Sequence, residues 1–147
     1  MKVLDVIGSR SEIYSIRDEA TVHEAARYLR DKQVRAAGVL DASGTLTGVV
    51  SQSDISDKVA AENKCPAWMR VTEIMSTSLV TVTPDQSVAD CLRLMEQHGF
   101  YHLLVIDPDG GYRGMLSVTD LLRVIASDEK SRADMLEAFL FERTGRP

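Results

Sequence analysis

The sequence predicts an α+β fold made of a duplicated β-α-β-β-α unit, and three observations carry that prediction. The pattern GVVSQSD at Gly48 to Asp54 returns as GMLSVTD at Gly114 to Asp120, displaced by 66 residues. Helical and strand-like hydrophobic periods follow one another in the same order on both sides of that displacement. A chain of 147 residues with 44% hydrophobic content suits one core made jointly by two halves. Units repeated at a fixed offset, each too small to bury its apolar face alone, stack against their copies.

The register extends beyond the signature. Val22, Leu29, Val34, Val39, Asp41, Gly44 and Gly48 align at the same offset with Val88, Met95, Phe100, Val105, Asp107, Gly110 and Gly114. Upstream the offset grows to 68, pairing Val3, Asp5 and Ile7 with Val71, Glu73 and Met75. The first copy therefore holds two extra residues within Gly8 to Tyr14, read as a loop insertion.

Each element has a local cause. Thr21 and Ser87 precede apolar residues at helical spacing (Val22, Ala25, Ala26 and Leu29; Val88, Cys91, Leu92 and Met95). Glu24 and Asp90 follow three residues on, as in a capping box. These helices end near Gln33 and Gly99. Ala36 to Leu40 and His102 to Ile106, rich in aliphatic residues, then read as short buried strands. Asp41-Ala-Ser-Gly44 and Asp107-Pro-Asp-Gly-Gly111 supply turn residues, and second strands end at Val50 and Leu116, so each half contains a hairpin.

Helical spacing resumes from Ser53 to Ala61 and from Thr119 to Ala126, with Ile55, Val59, Leu121, Leu122 and Ile125 expected inward. Ala61 to Arg70, with Pro66 and Trp68, reads as a linker packed on the joint core. Ser127 is positioned to cap a further helix reaching Arg143, with Met135, Leu136, Phe139 and Leu140 forming an apolar stripe that covers a neighbouring subunit. The resulting division is 1–61 for the first repeat, 62–70 for the linker, 71–126 for the second repeat, and 127–147 for the C-terminal helix and tail.

Composition excludes several classes of function. A net charge of −5 argues against broad attraction to nucleic acid or anionic membranes, which draws on clustered Lys and Arg. The longest apolar runs fall well short of the ~18 residues that cross a bilayer, and the N-terminus lacks a signal-peptide pattern, so a cytoplasmic protein with no membrane partner is expected. Cys65 and Cys91 sit in unrelated contexts and read as reduced thiols, Cys91 in the core. His98 and His102 are four residues apart, but the first closes an expected helix and the second opens an expected strand, and neither they nor His23 pair with a cysteine at ligand spacing, so no metal site is expected. No G-x-S-x-G elbow or phosphate-binding GK(S/T) loop is present, and the chain is not expected to be an enzyme.

Two copies of Gly-hydrophobic-hydrophobic-Ser-x-(Ser/Thr)-Asp, the helix openings TVHEA and SVADC, and the strand endings GVLD and LVID together resemble a tandem pair of cystathionine-β-synthase (CBS) domains, a Bateman module. The resemblance spans Val3 to Ala126 and is nearest to short free-standing bacterial proteins of this class. It implies two repeats packed around a pseudo-twofold axis, with two clefts that take adenosine-containing ligands.

Chemistry agrees with that implication. Ser117 and Thr119 stand where a strand gives way to a helix N-terminus, a favourable place for phosphate, and Asp120 offers two acceptor oxygens to a ribose diol. The same residues equally suit ordinary capping, worth about 1 kcal/mol. By the resemblance, the main cleft joins Ser117, Thr119 and Asp120 to Ile13, Tyr14, Val34, Arg35 and Tyr101, with Arg35 as the phosphate-binding guanidinium. The second joins Ser51, Ser53 and Asp54 to Leu79, Val80, Phe100 and His102, with the histidine in the place of Arg35. The expected ligand is AMP, with ADP, ATP, NAD or S-adenosylmethionine as alternatives. The expected function is regulatory sensing through a homodimer or partner contacts; the alternative is a protein–protein interaction module that docks a client protein and takes no nucleotide.

Overall fold

The computed structural model describes residues 1–8 and 12–127, together with 133, 134, 136–138 and 140. Helix α1 (Val3–Ile7), strand β1 (Ser15–Arg17), helix α2 (Val22–Lys32), strands β2 (Ala36–Leu40) and β3 (Leu46–Ser51) and helix α3 (Gln52–Ile55) form the first half. Strand β4 (Thr81–Val82), helix α4 (Val88–His98), strands β5 (His102–Ile106) and β6 (Tyr112–Ser117) and helix α5 (Val118–Ser127) form the second. Each half holds a three-stranded sheet in which the first strand runs parallel to the middle one and the last antiparallel to it. The duplication reaches the irregularities. Pairing slips between Val39 and Leu40 and again between Val105 and Ile106, 66 residues apart.

The long helices start where expected. Thr21 Oγ1 accepts from the Glu24 N–H at 3.1 Å and Ser87 Oγ from the Asp90 N–H at 3.0 Å, while Gln33 and Gly99 end α2 and α4 with left-handed φ of 56° and 69°. The reciprocal half of the expected box does not form at Ser87, because the Asp90 carboxylate turns to Arg93 at 2.7 Å.

Three expectations are corrected. Trp68, in a 3-10 turn at Pro66–Trp68, is 87% exposed and so does not pack on the joint core. Leu122 is also exposed; Leu121 and Ile125 are the buried residues of α5, with Val118 and Val124 packed beside them. After α3 the chain widens into a π-helical turn over Ser56–Ala60, with the Ala61 N–H reaching the Ser56 carbonyl at 2.8 Å. Of the expected C-terminal stripe, Leu136 and Leu140 are helical and exposed, while Met135 and Phe139 lie outside the described residues.

The two cores do not follow the two halves of the sequence. Val3, Val6 and Ile7 of α1 pack among Val82, Cys91, Leu103, Leu116 and Leu121. Val71 and Ile74 of the second half pack among Val22, Leu29, Val39 and Val50. Backbone bonds repeat the exchange: the Val3 N–H reaches the Gln86 carbonyl at 2.9 Å, and the Val71 N–H reaches the Ala20 carbonyl at 2.9 Å. Isolated bridges pair Lys2 with Ser87 and Thr21 with Arg70, equivalent positions with the roles reversed, as a pseudo-twofold relation requires.

The sheets meet through Tyr112. Its ring lies against Gly38, where an added Cβ would come within 2.8 Å of Tyr112 Cζ, and its hydroxyl donates to the Tyr14 carbonyl at 3.5 Å.

Ile74→Ala is expected to cost about 2–5 kcal/mol in chemical denaturation, since the side chain is 2% exposed inside the first half's core; a cost under about 1 kcal/mol would contradict the exchange. Gly38→Ala is expected to cost about 1–3 kcal/mol by overpacking against Tyr112, and Tyr112→Leu in the same chain should recover part of it.

Candidate functional site

A cleft of about 1040 Å³ opens where the two halves meet. Its walls come from the chain ends of regular elements, so the side chains are placed by the sheets rather than by long loops. Ser117, Thr119 and Asp120 stand at the junction of β6 and α5, Ile13 and Tyr14 just before β1, Val34 and Arg35 at the entrance to β2, and Tyr101 at the entrance to β5. All eight residues expected in the main cleft line this one cavity.

Of the seven expected in a second cleft, Ser51, Ser53, Phe100 and His102 line the same cavity, whereas Asp54, Leu79 and Val80 do not. Strand pairing also corrects an equivalence. Ala36 faces Ser51 and His102 faces Ser117, so His102 matches Ala36, and Tyr101 occupies the position of Arg35.

The signature residues cap their helices and do so reciprocally. The Ser117 N–H donates to Asp120 Oδ2 at 2.9 Å and the Asp120 N–H donates to Ser117 Oγ at 3.0 Å. Ser51 and Asp54 repeat the arrangement at 3.0 and 3.2 Å. The capping role is thus real at both corners, and at the second it coexists with a place on the cleft wall. In the first turn of α5 the Val118 N–H donates to the Tyr101 carbonyl at 3.0 Å, which ties this helix entrance to the entrance of β5.

The cleft wall is charged in both senses. Arg35 and Arg123 are its guanidinium groups, Glu12 and Asp120 its carboxylates. Glu12 is joined to Lys32 at 2.7 Å, which raises the lysine above its ordinary value. Burial holds the His102 imidazole below its ordinary value; Asp120 pulls it up and Arg35 pushes it down. An imidazole between a carboxylate and a guanidinium is neutral near pH 7 and sensitive to any anion brought beside it.

Arg123 and Tyr112 were not anticipated from the sequence. Arg123 had a signal, since three residues beyond Asp120 on a helix is the same face. Tyr112 had none, because its counterpart in the first copy is Leu46. Burial pushes the Cys91 thiol up to about 11, which makes it an inert core residue, whereas Cys65 is exposed. Among the described residues no His, Cys, Asp and Glu group could hold a metal ion, and no helix is long and apolar enough to cross a membrane.

Comparison with known proteins follows the same lines. The CBS domain family model matches residues 3–61 and again 71–127. An uncharacterised protein of Methanocaldococcus jannaschii is 27% identical over 115 residues, which cover 78% of this chain and 37% of that protein, so the chain spans little more than a third of that relative. A solved CBS-domain protein from Burkholderia ambifaria is 28% identical, with a TM-score of 0.81 over 87% of this chain and 96% of its own. A CBS domain pair solved in complex with 5-methylthioadenosine and S-adenosyl-L-methionine shares the fold at a TM-score of 0.77 and 22% identity, over 86% of this chain and 97% of that one. Two family matches in one chain, set 68 residues apart at their starts just as the leading segments are, give the duplication its name: this chain belongs to the CBS domain family, as a tandem pair.

Proposed function

We propose that the chain is a non-catalytic regulatory module that binds an adenine nucleotide, AMP in the first instance, in the cleft between its repeats. One observation carries the reading: Ser117, Thr119 and Asp120 share a single cavity with Tyr14 and Arg35. Such a wall offers a carboxylate for the ribose diol, hydroxyl and N–H donors with Arg35 for phosphate, and an aromatic face for the base. The solved relative that holds two adenosine compounds supports the ligand class. ADP, ATP, NAD and S-adenosylmethionine share the adenosine and remain within the proposal.

Binding becomes a signal when the two states of the module differ in affinity for the ligand. The cleft is walled by both repeats, so a ligand that bridges Tyr14 and Asp120 changes how firmly they are held together. The proposed readout is a cytoplasmic homodimer or a partner docked on the exposed helices, where Leu136 and Leu140 are exposed. A client-docking module is the second reading, favoured by an apolar groove of about 670 Å³ lined by Val88, Leu92, Met95, Phe100, Ile125 and Ala138.

Calorimetric titration with AMP, ADP, ATP, NAD and S-adenosylmethionine is expected to show micromolar binding of at least one; millimolar or absent binding of all removes the sensor reading. Asp120→Ala is expected to weaken the bound nucleotide at least tenfold, about 1.4 kcal/mol, while costing folding about 1 kcal/mol, a helix cap.

His102 supplies a pH test. Its folded value lies below the unfolded one of about 6.5, so its contribution to stability is complete above that pH and is lost as pH falls toward the folded value. A phosphate seated beside Arg35 should raise the His102 midpoint, and AMP affinity should rise as pH drops from 8 to 6. A midpoint unmoved by saturating AMP, followed by NMR, would place the phosphate elsewhere.

A further inference from the structure

The two corners made by the duplication are chemically unequal. At the first, Lys58 Nζ lies 3.0 Å from Asp54 Oδ1 and donates to the Ile74 carbonyl at 2.8 Å. The other carboxylate oxygen, Oδ2, accepts from the Ser51 N–H at 3.0 Å and the Ser51 hydroxyl at 3.1 Å. The Asp54 side chain is 14% exposed. Both oxygens that a ribose diol would engage are thus engaged by the chain itself, one of them by the half-exposed Lys58 ammonium.

The strap above this corner is sewn down as well. Ser76 exchanges two backbone bonds with Val49, at 2.8 and 2.9 Å, and Met75 lies so close to Gly48 that an added Cβ would meet its sulfur at 2.6 Å. Lys58 ties the same strap through Ile74, so residues 74–76 lie along β3 directly beside Asp54. Leu79 and Val80, which follow the strap, do not line the cleft, whereas their counterparts Ile13 and Tyr14 do. In the second copy the position of Lys58 is Val124, which cannot form this ion pair.

Resting on the nucleotide-binding reading above, we infer that Lys58 closes the first corner and limits the chain to one nucleotide. The duplicated signature thereby serves two ends: the Asp120 copy receives ligand, and the Asp54 copy is a built-in clamp that fastens the second half's leading strap to the first half. An exposed ion pair adds little stability by itself. Its weight here is occlusion, since a ligand entering this corner must displace the ammonium and lift the strap together.

Calorimetry with AMP on the full chain tests this. One AMP per chain is expected for the wild type, and for Asp120→Ala the same event weakened at least tenfold; two AMP per chain in the wild type, or one bound by Asp120→Ala at wild-type affinity, would overturn the inference while leaving nucleotide binding in place. Absence of any AMP binding would remove both. Lys58→Ala is expected to keep the first affinity within twofold and to add a second, weaker event, and Lys58→Arg, which keeps the ion pair, is expected to stay at one. A folded Lys58→Ala, checked by its melting curve, that still binds one AMP with wild-type affinity would overturn the role given to Lys58; if Lys58→Ala does not fold, Lys58→Gln is read in its place by the same standard.

Discussion

The reciprocal exchange of leading segments is the constraint on which the rest depends. Neither half of the sequence closes its own core: α1 completes the core beneath β4 to β6, and the turn around Val71 to Ile74 completes the one beneath β1 to β3. Two sheets of three strands are small for independent stability. Once the segments cross over, the halves are committed to one relative placement, and the cleft between them takes a defined shape without a dedicated loop to build it.

That placement explains how one short signature both caps a helix and faces the cleft. Ser117 and Asp120 start α5 by capping each other, and the crossover sets this helix entrance against Tyr14 and Arg35. The capping bonds hold the hydroxyl and carboxylate in fixed rotamers, which is the pre-organisation a polar ligand requires.

Much of this was legible in the residues because it is local. Strands β2 and β5, the caps at Thr21 and Ser87, and the hairpins follow from aliphatic runs and turn chemistry that need no distant partner. What escaped was non-local. The leading segments are short helical turns whose partners lie in the other half of the chain, so no period within either half announces them. Trp68 looked like core because it is large and apolar, yet a 3-10 turn on the outside of α2 leaves it in solvent. The shared cleft drew in Ser51 and Phe100 but left Asp54 behind, a distinction made by Lys58 one helical turn away and not by the motif, which is nearly the same in both copies.

Trp68 has a practical corollary. It is the one tryptophan of the chain, and at 87% exposure its indole already meets water in the folded state. Its emission colour will scarcely register unfolding, and excitation selective for indole will be blind to events deep in the fold. Tyr14, Tyr101 and Tyr112 all border the cavity, so the phenol absorbance and fluorescence of this protein become the natural optical gauge of what happens there.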